Sequence, residues 1–192
     1  RQRQMCIRDR CNSEKNIQPN VVLIYLDDLG YGDVSSYELG TLETPNMDKI
    51  ANGGIRFTNG YASSATCSPS RYALMTGTYP WRNKKAKIIT GGNLIIDENE
   101  MTLPKMFKSM GYETGVVGKW HLGLGKDGPV DYNSLISPGP NEVGFDHSYI
   151  MADTQDRVPT VYIENGNVVN LDPNDPIAVS YTHLRAHETE AD

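Results

Sequence analysis

The chain carries one long apolar run: residues 21–26 read Val-Val-Leu-Ile-Tyr-Leu, stop at Asp27-Asp28, and are followed by Gly30 and Gly32. An unbroken run of this length, rich in β-branched residues, predicts a parallel strand buried on both faces, with the two carboxylates at its carboxyl end. Beyond it the pattern switches to helical spacing. Thr44 caps a predicted helix that has Pro45 at its first position and ends at Gly53, and residues 55–57 form a short strand. A second helix is expected from Pro69 through Met75, stopped by Gly77, and a third is capped by Thr102, runs to Met110 and is closed by Gly111. Residues 114–117 read as another strand. The order β-α-β-α-α-β predicts an α/β fold, a doubly wound, mainly parallel sheet with helices on both faces. Residues 123–142, rich in Gly and Pro, read as a long loop suited to part of a substrate pocket, and residues 161–169 as a hairpin turning at Asn165-Gly166.

Composition narrows the partners. A chain of 192 residues can bury a substantial core, and its net charge of -6 with no basic stripe argues against nucleic acid, so any anion selectivity must be local. No apolar stretch approaches the length of a membrane span. Three cysteines, with Cys6 close to the start, do not make a disulfide framework. Residues 1–15 and 180–192 show neither a helix nor a strand period and are expected to be non-native or disordered tails, leaving 16–179 as the domain. His183 and His187 have the i, i+4 spacing of a helical metal pair, yet they fall in such a tail and are assigned no role.

Candidate chemistry lies where the predicted elements end. In Cys67-Ser68-Pro69-Ser70-Arg71 a sulfur is placed at a helix N-terminus, where converging N–H groups and the helix dipole favour a thiolate or a bound anion, and Arg71 adds a permanent cation one turn on. Asp27 and Asp28 repel one another unless a cation lies between them, which suits a hard divalent ion such as Ca²⁺ or Mg²⁺. After the strand at 114–117, Gly118 permits close backbone approach, and Lys119 and His121 emerge two residues apart. Lys119 suits a sulfate or phosphate oxygen, and His121 can move protons near neutral pH. Each feature alone has an ordinary explanation: a buried cysteine, a solvated acidic turn, a surface lysine. Trp81 and Trp120 suit sugar stacking, although core or rim packing is the commoner role of aromatic residues in such a domain. Asp153, Gln155, Asp156 and Arg157 fit either a pocket margin or a solvated loop.

Together, Asp27-Asp28, Cys67-x-Pro-x-Arg71 and Gly111-Tyr112-x-Thr114-x-x-x-Gly118-Lys119-x-x-Leu122 with His121 resemble the signatures and first metal-binding element of the type I sulfatases of the alkaline phosphatase superfamily. The resemblance extends over roughly residues 20–179 and implies hydrolysis of sulfate esters. It implies that a maturation enzyme converts Cys67 to formylglycine, whose hydrate offers one hydroxyl as nucleophile while His121 deprotonates the other. Arg71 and Lys119 are then implied to hold that group and the sulfate, and Asp27, Asp28 and the residue at Cys67 to ligate calcium, or magnesium in its place. The family's further metal ligands and sulfate-binding residues lie well downstream and are not recognisable after His121, so the chain is expected to be the N-terminal part of a longer enzyme and inactive when isolated. The resemblance further implies a periplasmic or secreted protein acting on a sulfate ester such as a sulfated glycan. Two alternatives remain open: a phosphate or phosphonate ester hydrolase of the same superfamily, and a non-catalytic module that binds sulfated glycans.

Overall fold

A computed structural model describes residues 18–37, 42–89 and 91–178. Cys6, His183, His187 and the two expected tails lie outside the described residues. The chain divides into two compact units, one ending at Thr58 and the other beginning at Asn59.

In the first unit, helix α1 spans Pro45–Gly53, as its sequence predicts, with Pro45 in the opening turn. Thr44 is its N-cap, but the Thr44 hydroxyl bonds no helical N–H. It accepts from Ser35 N at 2.9 Å instead, while Ser35 Oγ accepts from Thr44 N at 2.8 Å and donates to Asp48 at 2.7 Å. This reciprocal bonding ties the turn at residues 35–37 to the helix. The expected strands do not form here: residues 21–26 and 55–57 have no ladder partner among the described residues, and they lie exposed. Val22 is 83% and Ile55 81% exposed. Strand propensity needs a neighbouring edge to become a strand, because the backbone N–H and C=O groups must pair, and no described residue supplies that edge.

The second unit holds the sheet. Strand β1 (Gly115–Lys119) pairs in parallel with β2 (His147–Met151), which pairs antiparallel with β3 (Tyr162–Glu164), and β3 turns back into β4 (Asn167–Val168). The order is β1-β2-β3-β4. The chain is thus mixed α/β, with one parallel pair extended by a hairpin where a larger, mainly parallel sheet was expected. The hairpin turns at Asn165-Gly166, both at positive φ, as the Asn-Gly pair predicts.

Two further helices, α2 (Cys67–Thr76) and α3 (Leu103–Ser109), pack on each other. In α3 the Thr102 hydroxyl accepts from Lys105 N and donates to the Val143 carbonyl, so one buried side chain both caps the helix and holds the loop behind it. The core comprises Trp120, Leu122, Leu124, Tyr132, Ile136, Val143, Ile150 and Ile163, with Tyr72, Ile95 and Ile96. The long loop 123–142 therefore supplies Leu124, Tyr132 and Ile136 to the core. Its entry is tight. Gly123 has φ +80, and a Cβ there would lie 2.0 Å from the Asn93 carbonyl oxygen and 2.8 Å from that of Gly92.

Gly123→Ala is expected to cost about 2–4 kcal/mol, since a backbone clash adds to a disfavoured φ. Gly115→Ala in β1, where a Cβ meets only the His147 carbonyl at 3.8 Å, is expected to change stability by less than about 0.5 kcal/mol. Urea unfolding of the two variants checks the contrast, and equal midpoints would refute it.

Candidate active site

The carboxyl edge of the parallel pair is where open α/β sheets place ligands, because strands end there together and the chain turns out of the sheet. Lys119 is the last residue of β1 and pairs with Met151, the last of β2. The ladder then runs on irregularly: Trp120 N donates to Met151 O at 2.9 Å and His121 N to Ala152 O at 2.8 Å. His121 sits at φ +53, a left-handed conformation uncommon for a residue with a Cβ. Gly118, two residues before the Trp120 step, has φ +108 and nothing within 4 Å of a Cβ position. The glycine thus serves the backbone angle, not the close approach read from its sequence context.

Helix α2 meets this edge with its N-terminus. It begins at Cys67, two residues earlier than expected, so Pro69 occupies the third helical position. The proline is tolerated there because the first four N–H groups of a helix have no intrahelical acceptor. The helix stops at Gly77, in the left-handed region with its N–H bonded to Ala73 O, as expected. Cys67 Sγ lies 3.1 Å from Lys119 Nζ. Arg71, one turn on, donates from Nη1 to the Lys119 carbonyl at 2.7 Å. The structure therefore brings Cys67, Arg71 and Lys119 together, with Arg71 gripping the backbone that carries the lysine.

His121 is almost wholly enclosed, at 1% exposure. Its Nε2 lies 2.9 Å from Ile89 O and 3.0 Å from Arg157 Nη1, and Arg157 also donates to Ile89 O at 2.7 Å. These three atoms form a triangle that admits two arrangements for a neutral ring. Either Nε2–H donates to Ile89 and Nδ1 carries the lone pair, or Nε2 accepts from Arg157 and Nδ1 carries the proton. Nδ1 has no hydrogen-bond partner among the described residues, so the ring's proton-exchanging atom is the one left for a ligand. Burial lowers the His121 pKa below 6.5, the bond to Ile89 and the charge of Asp153 oppose that shift, and Lys119 and Arg157 reinforce it. Arg157 is the residue sequence reasoning left undecided between pocket and loop. Its proximity to a histidine 36 positions away carries no local sequence signal.

Of the two tryptophans, Trp120 is buried, with its indole N–H on Gly123 O at 2.8 Å, and takes no part in a sugar surface. Asp27 and Asp28 belong to the first unit, exposed on a bend where Asp28 has φ +57. Two carboxylates fall short of the six to eight oxygens calcium takes, and among the described residues no three of His, Cys, Asp and Glu group to hold a metal. A group built from Cys67 would meet the Lys119 ammonium, which lies 3.1 Å from Sγ. Ser68 Oγ and His121 Nδ1 are buried polar atoms without partners among the described residues, each costing about 1–3 kcal/mol unless a ligand or water satisfies it.

Comparison with known proteins gives the family. The Sulfatase family profile matches residues 19–183. An N-acetylgalactosamine-6-O-sulfatase of Bacteroides thetaiotaomicron is 50% identical over 173 residues, 90% of this chain and 34% of the relative. Human arylsulfatase A is 43% identical over 112 residues, 57% of this chain and 22% of the relative. A solved sulfatase from the glycosaminoglycan metabolism of Bacteroides thetaiotaomicron superposes with TM-score 0.79 at 52% identity, covering 82% of this chain and 33% of that one. A structure solved with its substrate D-glucosamine-2-N,6-O-disulfate superposes with TM-score 0.53 at 29% identity, covering 72% of this chain and 24% of that one. The chain thus spans about a third of the length of the relative that it matches along most of its own length. On the strength of that profile, and of 50% identity along nine tenths of its sequence, the chain belongs to the sulfatase family.

Proposed function

We propose that this chain carries the nucleophile-bearing half of a sulfatase site acting on sulfated glycans, releasing sulfate and the sugar alcohol from a sulfate ester and water. The observation that carries the reading is the contact of Lys119 Nζ with Cys67 Sγ at the N-terminus of α2, locked by Arg71 on the Lys119 carbonyl. It is supported by the 50%-identical sulfatase of N-acetylgalactosamine-6-O-sulfate specificity and by the likeness to a structure holding a sulfated glucosamine.

Formylglycine at position 67 would supply a hydrated aldehyde with two hydroxyls on one carbon, one to serve as nucleophile and one whose deprotonation lets sulfate leave, an exit that a serine lacks. Lys119 places a positive charge against the side chain of residue 67, where a sulfate oxygen gains negative charge as the ester is attacked. Arg71 holds the Lys119 backbone, so this charge does not have to be organised when substrate arrives. His121, kept neutral by its burial, accepts a proton at Nδ1 when Nε2–H is donated to Ile89. Asp27 and Asp28 are the residues that would hold a calcium or magnesium ion, with the remaining ligands drawn from elsewhere. Residues 16–179 form part of a catalytic domain whose complete sheet is doubly wound, in a protein working in the periplasm or outside the cell.

The primary test is mass spectrometry of the Cys67 peptide after co-expression with a formylglycine-generating enzyme. Conversion is expected to remove about 18 Da, and an untouched thiol beside a converted control sulfatase would sink the reading. In a formylglycine-bearing protein that also supplies the downstream residues, Lys119→Ala is expected to lower kcat on a sulfated monosaccharide by about 10²–10³, as for loss of one oxyanion donor, and a loss below tenfold would contradict its role.

His121 also leaves a signature in stability. Its folded pKa lies below the ordinary 6.5, so between the two values the unfolded chain binds more protons than the folded one. Stability is therefore expected to fall as pH drops through 6.5 toward the folded pKa, and His121→Gln to flatten that slope. The depressed carboxylates Asp97, Asp131, Asp146 and Asp156 act only near and below 3.8 and leave this window clear. Chemical unfolding of both proteins across the window reads the difference, and parallel pH profiles would exclude a buried neutral His121.

A further inference from the structure

Residues 49–96 contain no Asp or Glu, although the chain has 24 of them, and they hold seven of its 18 Lys and Arg residues. A protein of net charge -6 thus carries a stretch of formal charge +7, contrary to the expectation that it has no basic stripe. Four of those cations, Arg82, Lys84, Lys85 and Lys87, fall within six residues, and all four are exposed. None makes a salt bridge among the described residues, where Lys108 and Lys126 do. Unpaired cations crowded on one segment repel each other and are relieved by a bound polyanion.

The segment is a fixed surface. Pro80 and Ala86 are buried at either end, Ala86 N and Lys85 N donate to the Asn83 carbonyl and side chain at 2.9 Å, and Asn83 Nδ2 reaches Ile95 O at 3.4 Å. Ahead of the lysines, Tyr79 and Trp81 stack with ring centroids 4.1 Å apart at 16°, and Trp81 is 70% exposed. An exposed indole backed by a second ring offers a rigid apolar plate of the kind a sugar ring covers. Two residues after Lys87, the Ile89 carbonyl accepts from Arg157 beside His121, so this segment leads to the residues around His121.

We propose that Tyr79, Trp81, Arg82, Lys84, Lys85 and Lys87 form a subsite for the chain of a sulfated polysaccharide beyond the sugar whose ester is cleaved. The lysines and arginine meet its sulfate and carboxylate groups, and Trp81 stacks on a pyranose face. The inference rests on the sulfated-glycan reading of the site. A nucleic acid is the competing polyanion. It is disfavoured because the relatives of this chain are sulfatases and the chain as a whole carries a net charge of -6.

The test measures binding of the full 192-residue chain to chondroitin sulfate, to the same polymer after chemical desulfation, and to single-stranded DNA, over a series of salt concentrations. Lys84→Ser/Lys85→Ser/Lys87→Ser is expected to weaken chondroitin sulfate binding at least tenfold and to flatten the log–log salt dependence by about two, as counterion release from a linear polyanion requires. Trp81→Ala is expected to weaken binding severalfold with the salt slope unchanged, and Lys126→Ser, on the Glu98 pair, to change nothing. Every replaced side chain is exposed, and matching unfolding midpoints confirm that the variants fold. Parent-like binding by the triple variant, equal binding of the desulfated polymer, or DNA binding as tight as chondroitin sulfate with Trp81→Ala without effect would each overturn the proposal. Conversion of Cys67 is read separately by mass, so the catalytic reading and the subsite can fail independently.

Discussion

The candidate site depends on one hydrogen bond that crosses 48 residues of sequence, from Arg71 Nη1 to the Lys119 carbonyl. A lysine side chain has four rotatable bonds and does not hold its ammonium in place by itself. Fixing the peptide beneath it removes the backbone part of that freedom, and a bond from a charged donor in a partly buried setting contributes about 1.5–3 kcal/mol toward doing so. The same bond joins two supports that are each rigid for separate reasons. Helix α2 is held against α3, and β1 is held in register with β2 from Gly115↔His147 to Lys119↔Met151. Slippage of that register by one residue would turn Lys119 to the opposite face and leave Arg71 without its acceptor.

Around this anchor the protein concentrates positive charge in an otherwise acidic chain. Arg71 and Lys119 meet at the end of one parallel strand pair, and a neutral histidine is enclosed beside Lys119 and Arg157. Such a cluster is costly to build from a folding standpoint, since like charges repel and a buried imidazole forgoes hydration. Its position at the carboxyl edge of the sheet, and not in the core behind it, is where that cost serves an incoming anion. Sites that break local rules of stability are commonly the functional ones. The left-handed His121 and the Ser68 hydroxyl, without a partner among the described residues, fit that description.

Much of the local structure was legible in the residues. Helix α3 and the Asn165-Gly166 turn follow from capping and turn chemistry, and α1 from Pro45 in its first turn and Gly53 at its end, all of which act within a few residues. Cys67 and Lys119 could be singled out because each sits at the end of an element, and Arg71 because it follows Cys67 by one helical turn. What escaped was what depends on distant partners. Strand β2 was missed because its buried positions alternate Ser148 with Ile150, so a polar residue stands where an apolar signal was needed. Residues 21–26 were expected to pair because their composition favours a sheet, but pairing needs an edge that composition cannot specify. The helix start at Cys67 was placed two residues late because Pro69 is at home anywhere in the first turn. Arg157 was unreadable for the same reason as β2, since it reaches His121 only after the strands have paired.

That exposed run has a consequence for how the polypeptide behaves in solution. Six successive apolar side chains from Val21 to Leu26, with no proline and no charge among them, match the short, uncharged, β-prone segments that stack into intermolecular cross-β ladders. The adjoining Asp27-Asp28 pair acts as a gatekeeper on one side, because stacking copies in register would bring like charges within a strand spacing of each other. Raising the salt enough to screen those carboxylates removes that brake. Colloidal stability of the chain is therefore governed by the same two aspartates that stand first among its candidate metal ligands.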